Sequence, residues 1–157
     1  MATNIQIFTA PAAARIVGIS YSRLDSWDRR GNFFKPSIAE ADGRGSQRVY
    51  SFEDLVQLGA IKTLRNQGAS LQSLRKAQRT MRRLDLEKPW QYVIVVGKDL
   101  HVEVGEETMM SLKSQPGQTA FQIVCLLEVA EEVRLAIELE RIERGFERQR
   151  AREAASA

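Results

Sequence analysis

An α-rich first half, followed by a small α+β region that closes in one long helix, is the fold class this sequence predicts. Three observations carry it. Phe8 to Arg30 holds two short helix-like stretches hinged at Gly18. Tyr92 to Cys125 holds three β-branched or alternating runs separated by turn residues. Leu127 to Ala155 has no Pro and is rich in Glu, Arg, Ala and Leu. The expected division is residues 1–86 for the first part and 90–157 for the second.

Taken in order, Thr9 is placed to cap a first helix, and Pro11 falls in its first turn, where a missing N–H costs little. Ala13, Ala14, Ile16 and Val17 give that helix a small apolar face. Gly18 ends it, Ile19 turns inward, and Ser20 caps a second helix running to Arg30. Small residues at the crossing, a glycine turn, and Ile19, Leu24 and Trp27 as inward anchors are what a helix-turn-helix requires. The second helix offers Tyr21, Ser22, Arg23, Ser26 and Arg30, donor-rich side chains suited to a major groove. Trp27 has two readings, an aromatic at the DNA surface or the core anchor of the motif.

Phe33, Phe34 and Pro36, then the polar tip Asp42-Gly43-Arg44-Gly45-Ser46, then Arg48-Val49-Tyr50-Ser51 predict two short strands around a glycine tip, a wing. The first part is therefore expected to be an α-rich winged helix-turn-helix domain. Arg44 and Arg48 are candidates to hold flanking phosphates or the minor groove. Ser51 is a candidate N-cap for a third helix to about Gln67, with Glu53 and Asp54 in the turn that favours anions. Its stripe of Phe52, Leu55, Val56, Leu58, Ile61 and Leu64 would pack on the helix-turn-helix. Gly68 stops it. A fourth helix starts at Ser70, with Leu71, Leu74, Ala77, Met81 and Leu84 inward. Its basic face of Arg75, Lys76, Arg79, Arg82 and Arg83 is either solvated or set against DNA backbone.

The order of these motifs resembles the mercury-resistance regulator (MerR) superfamily: helix-turn-helix, wing, Arg-Val-Tyr-Ser, the acidic start Phe52-Glu53-Asp54-Leu55, then Leu64-Arg65-Asn66-Gln67-Gly68-Ala69-Ser70-Leu71. The resemblance covers about Phe8 to Leu84. It implies a dimeric transcription regulator whose two recognition helices and wings grip a pseudo-palindrome in double-stranded DNA, bending and untwisting an overlong promoter spacer. It also implies backbone contact for Arg48 and Tyr50; packing inside the hairpin is the other reading of Tyr50. The recognition helix departs from the family pattern. Where relatives place a basic residue, an Arg and an aromatic pair, this chain has Ser22, Asp25 and Ser26-Trp27. Asp25 either accepts from a cytosine amino group or faces Arg29 four residues on, and the second is the expectation.

The family's long dimerisation helix is also displaced. After Asp85 to Pro89 come Tyr92-Val93-Ile94-Val95-Val96 and Leu100-His101-Val102-Glu103-Val104, a β-hairpin around Gly97-Lys98-Asp99. A short helix over Glu106–Lys113 and a third strand over Ala120–Cys125 are expected next. In the terminal helix, Ala130, Val133 and Ile137 form one stripe, expected to lie on the small sheet. Leu135, Leu139, Ile142 and Phe146 form a second, left for a partner helix in a homodimer. Beyond Phe146 the chain has no apolar face and is expected to fray.

Composition bounds the functions. The net charge of +3 conceals an asymmetry: residues 1–90 carry 15 Lys+Arg against 8 Asp+Glu, and residues 91–157 carry 8 against 12. A basic front and an acidic back suit a nucleic-acid domain joined to a region with another task. The single cysteine, Cys125, excludes an internal disulfide. With His101 the only histidine, no metal and no cofactor is expected, and no catalytic triad or phosphate loop is present, so no enzyme is read. MATNIQIF lacks the features of a signal peptide, and no apolar run approaches the roughly 18 residues of a membrane span. A cytoplasmic protein is expected. A second reading, from another class, is an antitoxin that represses its own operon and neutralises a partner protein through the C-terminal region.

Overall fold

A computed structural model describes residues 6–30, 34–39, 47–72, 74–75, 79, 92–96, 99–102 and 122–156. The chain begins with strand β1 (Ile7–Thr9), which runs into helix α1 (Ala10–Val17). The N-cap is Thr9, as the sequence predicts, but its side chain makes no capping hydrogen bond. It belongs instead to a strand: β1 pairs antiparallel with β2 (Val49–Ser51), Ile7 opposite Ser51 and Thr9 opposite Val49. The sequence predicts no strand at Ile7–Thr9 and pairs Val49–Ser51 within the wing. On that wing side the described residues show one bridge, Ala39 to Val49, with backbone hydrogen bonds of 3.2 and 2.9 Å. The tip around Arg44 lies outside the described residues.

Gly18 ends α1 at φ 73°, a left-handed conformation that an L side chain resists, and its N–H donates to Ala14 and Arg15 carbonyls. Lys62 Nζ donates to the Val17 carbonyl at 2.9 Å, a cation at the electronegative end of α1. Ser20 caps helix α2 (Tyr21–Asp25), its Oγ accepting from Arg23 N–H. The helix expected to run on to Arg30 changes register: Ser26–Arg30 forms a turn of π-helix. Helix α3 (Phe52–Asn66) opens with a full capping box between Ser51 and Asp54. Helical turns resume at Leu71–Gln72 and Leu74–Arg75, the start of the expected fourth helix.

Ala13, Leu24, Tyr50, Leu55, Leu58, Leu64 and Leu74 are fully buried in one core, closed by Ile16, Val17, Ile19, Trp27 and Phe34. Burying a Leu or Phe side chain contributes roughly 1.5–3 kcal/mol, so this cluster sets the angle at which α2 stands on α1 and α3.

In the second half, strands β3 (Tyr92–Val96), β4 (Asp99–Val102) and β5 (Gln122–Cys125) form an antiparallel sheet in the order β4-β3-β5. The hairpin and third strand lie where their β-branched runs predict. The expected helix over 106–113 falls outside the described residues. From β5 the chain enters helix α4 (Leu126–Ser156), 31 residues long.

Two expectations for α4 are corrected. It does not fray after Phe146 but continues to Ser156, a stretch rich in strong helix formers and braced by a Gln149–Glu153 hydrogen bond of 3.0 Å. Its inward stripe lies on α3 and α1 rather than on the small sheet. Val129 and Val133 are buried in the N-terminal core, and Ala136 and Ile137 pack against it. The physical reason is Gly59 on α3, whose missing side chain lets Val129 approach. Farther along, Arg15 Nε donates to Glu140 at 2.8 Å and Arg144 Nε to the same carboxylate at 3.0 Å, tying α4 to α1. No helix among the described residues is long and apolar enough to cross a membrane.

Candidate nucleic-acid interface

The capped turn of α2 holds its donor-rich face outward. Tyr21, Ser22 and Arg23 are exposed, Ser26 is half-buried, and the Arg23 guanidinium makes no ion pair among the described residues. Ser20 and Ser22 hydroxyls share a hydrogen bond of 3.2 Å, which steadies the first turn. Opposite this face, Leu24 is fully buried and Trp27 is 5% exposed. Of the two readings of Trp27, core anchor is the one its packing describes. Arg30 lies in the π turn, and Arg44 outside the described residues.

Arg48 and Tyr50 are not at the surface. The Arg48 side chain is 2% exposed and holds two carboxylates of the second helix region: Nη2 donates to Asp25 Oδ1 at 2.9 Å and Nη1 to Asp28 Oδ2 at 2.8 Å. Nη2 also donates to the Tyr21 hydroxyl at 3.2 Å, and the guanidinium carbon sits 5.7 Å from the Tyr21 ring centre. Burial alone would lower the Arg48 pKa. The Asp28 hydrogen bond, the Tyr50 and Asp28 charges and the Tyr21 hydrogen bond outweigh it, and the net direction is upward. Asp25 accepts from Arg48, from across the fold; the expected contact with the Arg29 side chain lies outside what the structure describes. Asp28, which sequence reasoning did not single out, completes the clamp; its partner is 20 residues away, beyond any helical spacing.

Tyr50 lies beneath, fully buried, its ring stacked at 7° on Phe34 with centroids 6.4 Å apart. Its hydroxyl has no hydrogen-bond partner among the described residues. Burial pushes its pKa up to about 12, against the opposing pull of Arg48. Packing is therefore the reading of Tyr50 that its surroundings describe. Nearby, Asp54 Oδ2 accepts from Ser37 N–H, Ser37 Oγ and Ser51 N–H at 2.8–2.9 Å, pinning the segment around Ser37 to the start of α3.

On α4 the four predicted partner-facing residues are open to solvent: Leu135, Leu139, Ile142 and Phe146 are 52–65% exposed. At 100° per residue they cluster on the side opposite Val129, Val133 and Ile137. No group of three or more His, Cys, Asp or Glu able to hold a metal ion occurs among the described residues.

Residues 8–81 match the family model described as MerR HTH family regulatory protein. The chain is also similar to uncharacterized HTH-type transcriptional regulators of Mycobacterium bovis and of two strains of Mycobacterium tuberculosis, each 44% identical over 70 residues. The match covers 45% of this chain and 31% of each of those relatives, so the chain spans under a third of the curated relatives it matches.

Proposed function

We propose, from the MerR-type helix-turn-helix domain that the first half of this chain carries, that the protein is a homodimeric regulator of transcription acting on a pseudo-palindromic DNA operator. The observation that carries this reading is the outward face of α2, where Tyr21, Ser22 and Arg23 stand exposed on a capped, core-anchored helix. An arginine that makes no ion pair among the described residues suits bidentate readout of a guanine edge at that position. Tyr21, Ser22 and Ser26 add donors and acceptors around it. One such helix makes too few contacts alone, and regulators of this kind use two, spaced by the helical repeat. The outward stripe of α4 supports the second copy: four large apolar side chains on one face gain most by meeting a like face.

The test is selection of genomic fragments bound by the purified protein, followed by affinity measurements on the recovered site. Enrichment of one symmetric site supports the proposal, and Arg23→Ala then costs about 1–3 kcal/mol there and relaxes base preference at one position per half-site. Absence of any enriched fragment, or an Arg23→Ala variant equal to wild type on specific and random DNA, overturns it.

A further inference from the structure

Resting on that DNA-binding reading, we infer that Arg48 serves recognition from inside the protein: it is the positioning residue that neutralises Asp25 and Asp28 and turns Tyr21 into a hydrogen-bond donor toward DNA.

A phosphate contact needs accessible N–H groups. Arg48 precedes β2, whose register with β1 and bridge to Ala39 fix its backbone, and its side chain is 98% removed from solvent. Three of its donor directions are already taken, two by carboxylates and one by a phenol.

The two aspartates are what make this arrangement matter. Both sit on the segment that must approach a polyanion, and each uncompensated carboxylate there would repel phosphate. Asp28 keeps 12% of its side chain exposed and Asp25 33%, so their charge is felt at the surface. The guanidinium between them offsets part of that charge and fixes both side chains in one geometry.

Tyr21 adds the directional part. Its hydroxyl accepts from Arg48 Nη2, which commits a lone pair on the protein side. A neutral phenol that accepts through a lone pair still has its own O–H to donate, and that proton is left to point away from the guanidinium. With the residue 49% exposed, the chemistry presented outward is one O–H donor, suited to a phosphate oxygen or to the N7, O6 or O4 acceptors of a major-groove edge.

The experiment compares wild type, Arg48→Gln, the neutral triple variant Arg48→Gln/Asp25→Asn/Asp28→Asn, and Tyr21→Phe, on the selected site and on a random duplex over a range of salt. The expected result for Arg48→Gln is a loss on both duplexes from the exposed carboxylate charge, at least tenfold larger on the selected site, so that the ratio of specific to random affinity falls. The triple variant restores that ratio to within about threefold, because the carboxylates that needed Arg48 are gone. Tyr21→Phe loses about three- to tenfold on the selected site with its melting temperature unchanged, so the proposal stays open to refutation even if Arg48→Gln does not fold. A salt slope reduced by about one unit in Arg48→Gln, with both duplexes weakened alike and no rescue in the triple variant, would show a phosphate contact and overturn the inference. Tyr21→Phe indistinguishable from wild type overturns its second half. Wild type that binds no duplex refutes the DNA-binding reading itself, which separates that failure from this one.

Discussion

A β-carbon on Gly59 would lie 2.8 Å from Val129 Cγ1, closer than such carbons approach in folded proteins. Gly59 is in the middle of α3 and Val129 in the first turn of α4, so this contact is where the terminal helix seats on the N-terminal core. A methyl here has two opposing effects. Alanine in place of glycine inside a helix gains up to about 1 kcal/mol from backbone entropy. Forcing an extra carbon into a packed seam costs about 1–3 kcal/mol, and valine, branched at the carbon next to Cα, has few ways to yield. Gly59→Ala is expected to be net destabilising by about 1 kcal/mol and Gly59→Val by more, read from urea unfolding of the whole chain. An unfolding midpoint unchanged in Gly59→Val would mean that α4 does not rest on α3.

The Asp54 carboxylate performs two tasks with one oxygen. It closes the capping box by accepting from Ser51 N–H, and it holds Ser37 through both its N–H and its hydroxyl. Asp54→Ala leaves two backbone N–H groups, one of them in a buried residue, without their acceptor. The expected loss is about 2–3 kcal/mol, more than the ~1 kcal/mol of a simple cap. Asp54→Asn keeps the shape and one acceptor oxygen and is expected to lose less. Thermal melts of the two variants side by side decide this, and equal losses would assign the effect to charge alone.

Tyr50 ties stability to alkaline pH. Its hydroxyl titrates near 10 in an unfolded chain, and burial raises that to about 12 in the fold. The folded state therefore holds the proton more tightly than the unfolded state. The stabilisation is fully present below about pH 10, falls as pH rises toward 12, and is lost above it. Tyr50→Phe removes the titration, and because the hydroxyl has no partner among the described residues, it costs within about 1 kcal/mol at neutral pH. Chemical unfolding at pH 7 and pH 11 should show wild type weakening more than Tyr50→Phe. Parallel losses in both proteins would place the alkaline sensitivity elsewhere.

Much of this architecture is legible in the sequence because its signals are local. Gly18 followed by Ser20, and Ser51 with Asp54 three residues on, encode a helix end and two helix starts within four residues, and all lie where expected. The runs at Tyr92–Val96 and Gln122–Cys125 announce strands by β-branching alone. What escaped is non-local. Nothing near Ile7 says that its partner is Ser51, and nothing near Val129 says that it rests on Gly59. Arg48 carries the sharpest lesson. An arginine at the base of a wing invites a phosphate, and only the fold shows two carboxylates already closed around it. The exposed face of Tyr21, Ser22 and Arg23 was readable, since a capped helix with Leu24 inward leaves those positions no other side.

The proposed dimer rests on α4 having two apolar sides with different fates. Val129 and Val133 are buried in the core, while Leu135, Leu139, Ile142 and Phe146 remain more than half exposed along about three turns of the other side. Truncating or charging an outward residue touches no described core contact, so the fold should survive it. Burying such side chains against a second copy is worth roughly 1.5–3 kcal/mol each, and charge within the seam reverses that gain. Leu139→Glu/Phe146→Glu is expected to shift the protein to monomer in sedimentation equilibrium at micromolar concentration, with helix content close to wild type. DNA binding should then become weaker and lose its dependence on half-site spacing, because each recognition helix would search alone. A wild-type protein that sediments as a monomer would refute the dimer, and a double variant that remains dimeric would remove this stripe from the interface and place the meeting of the two copies elsewhere.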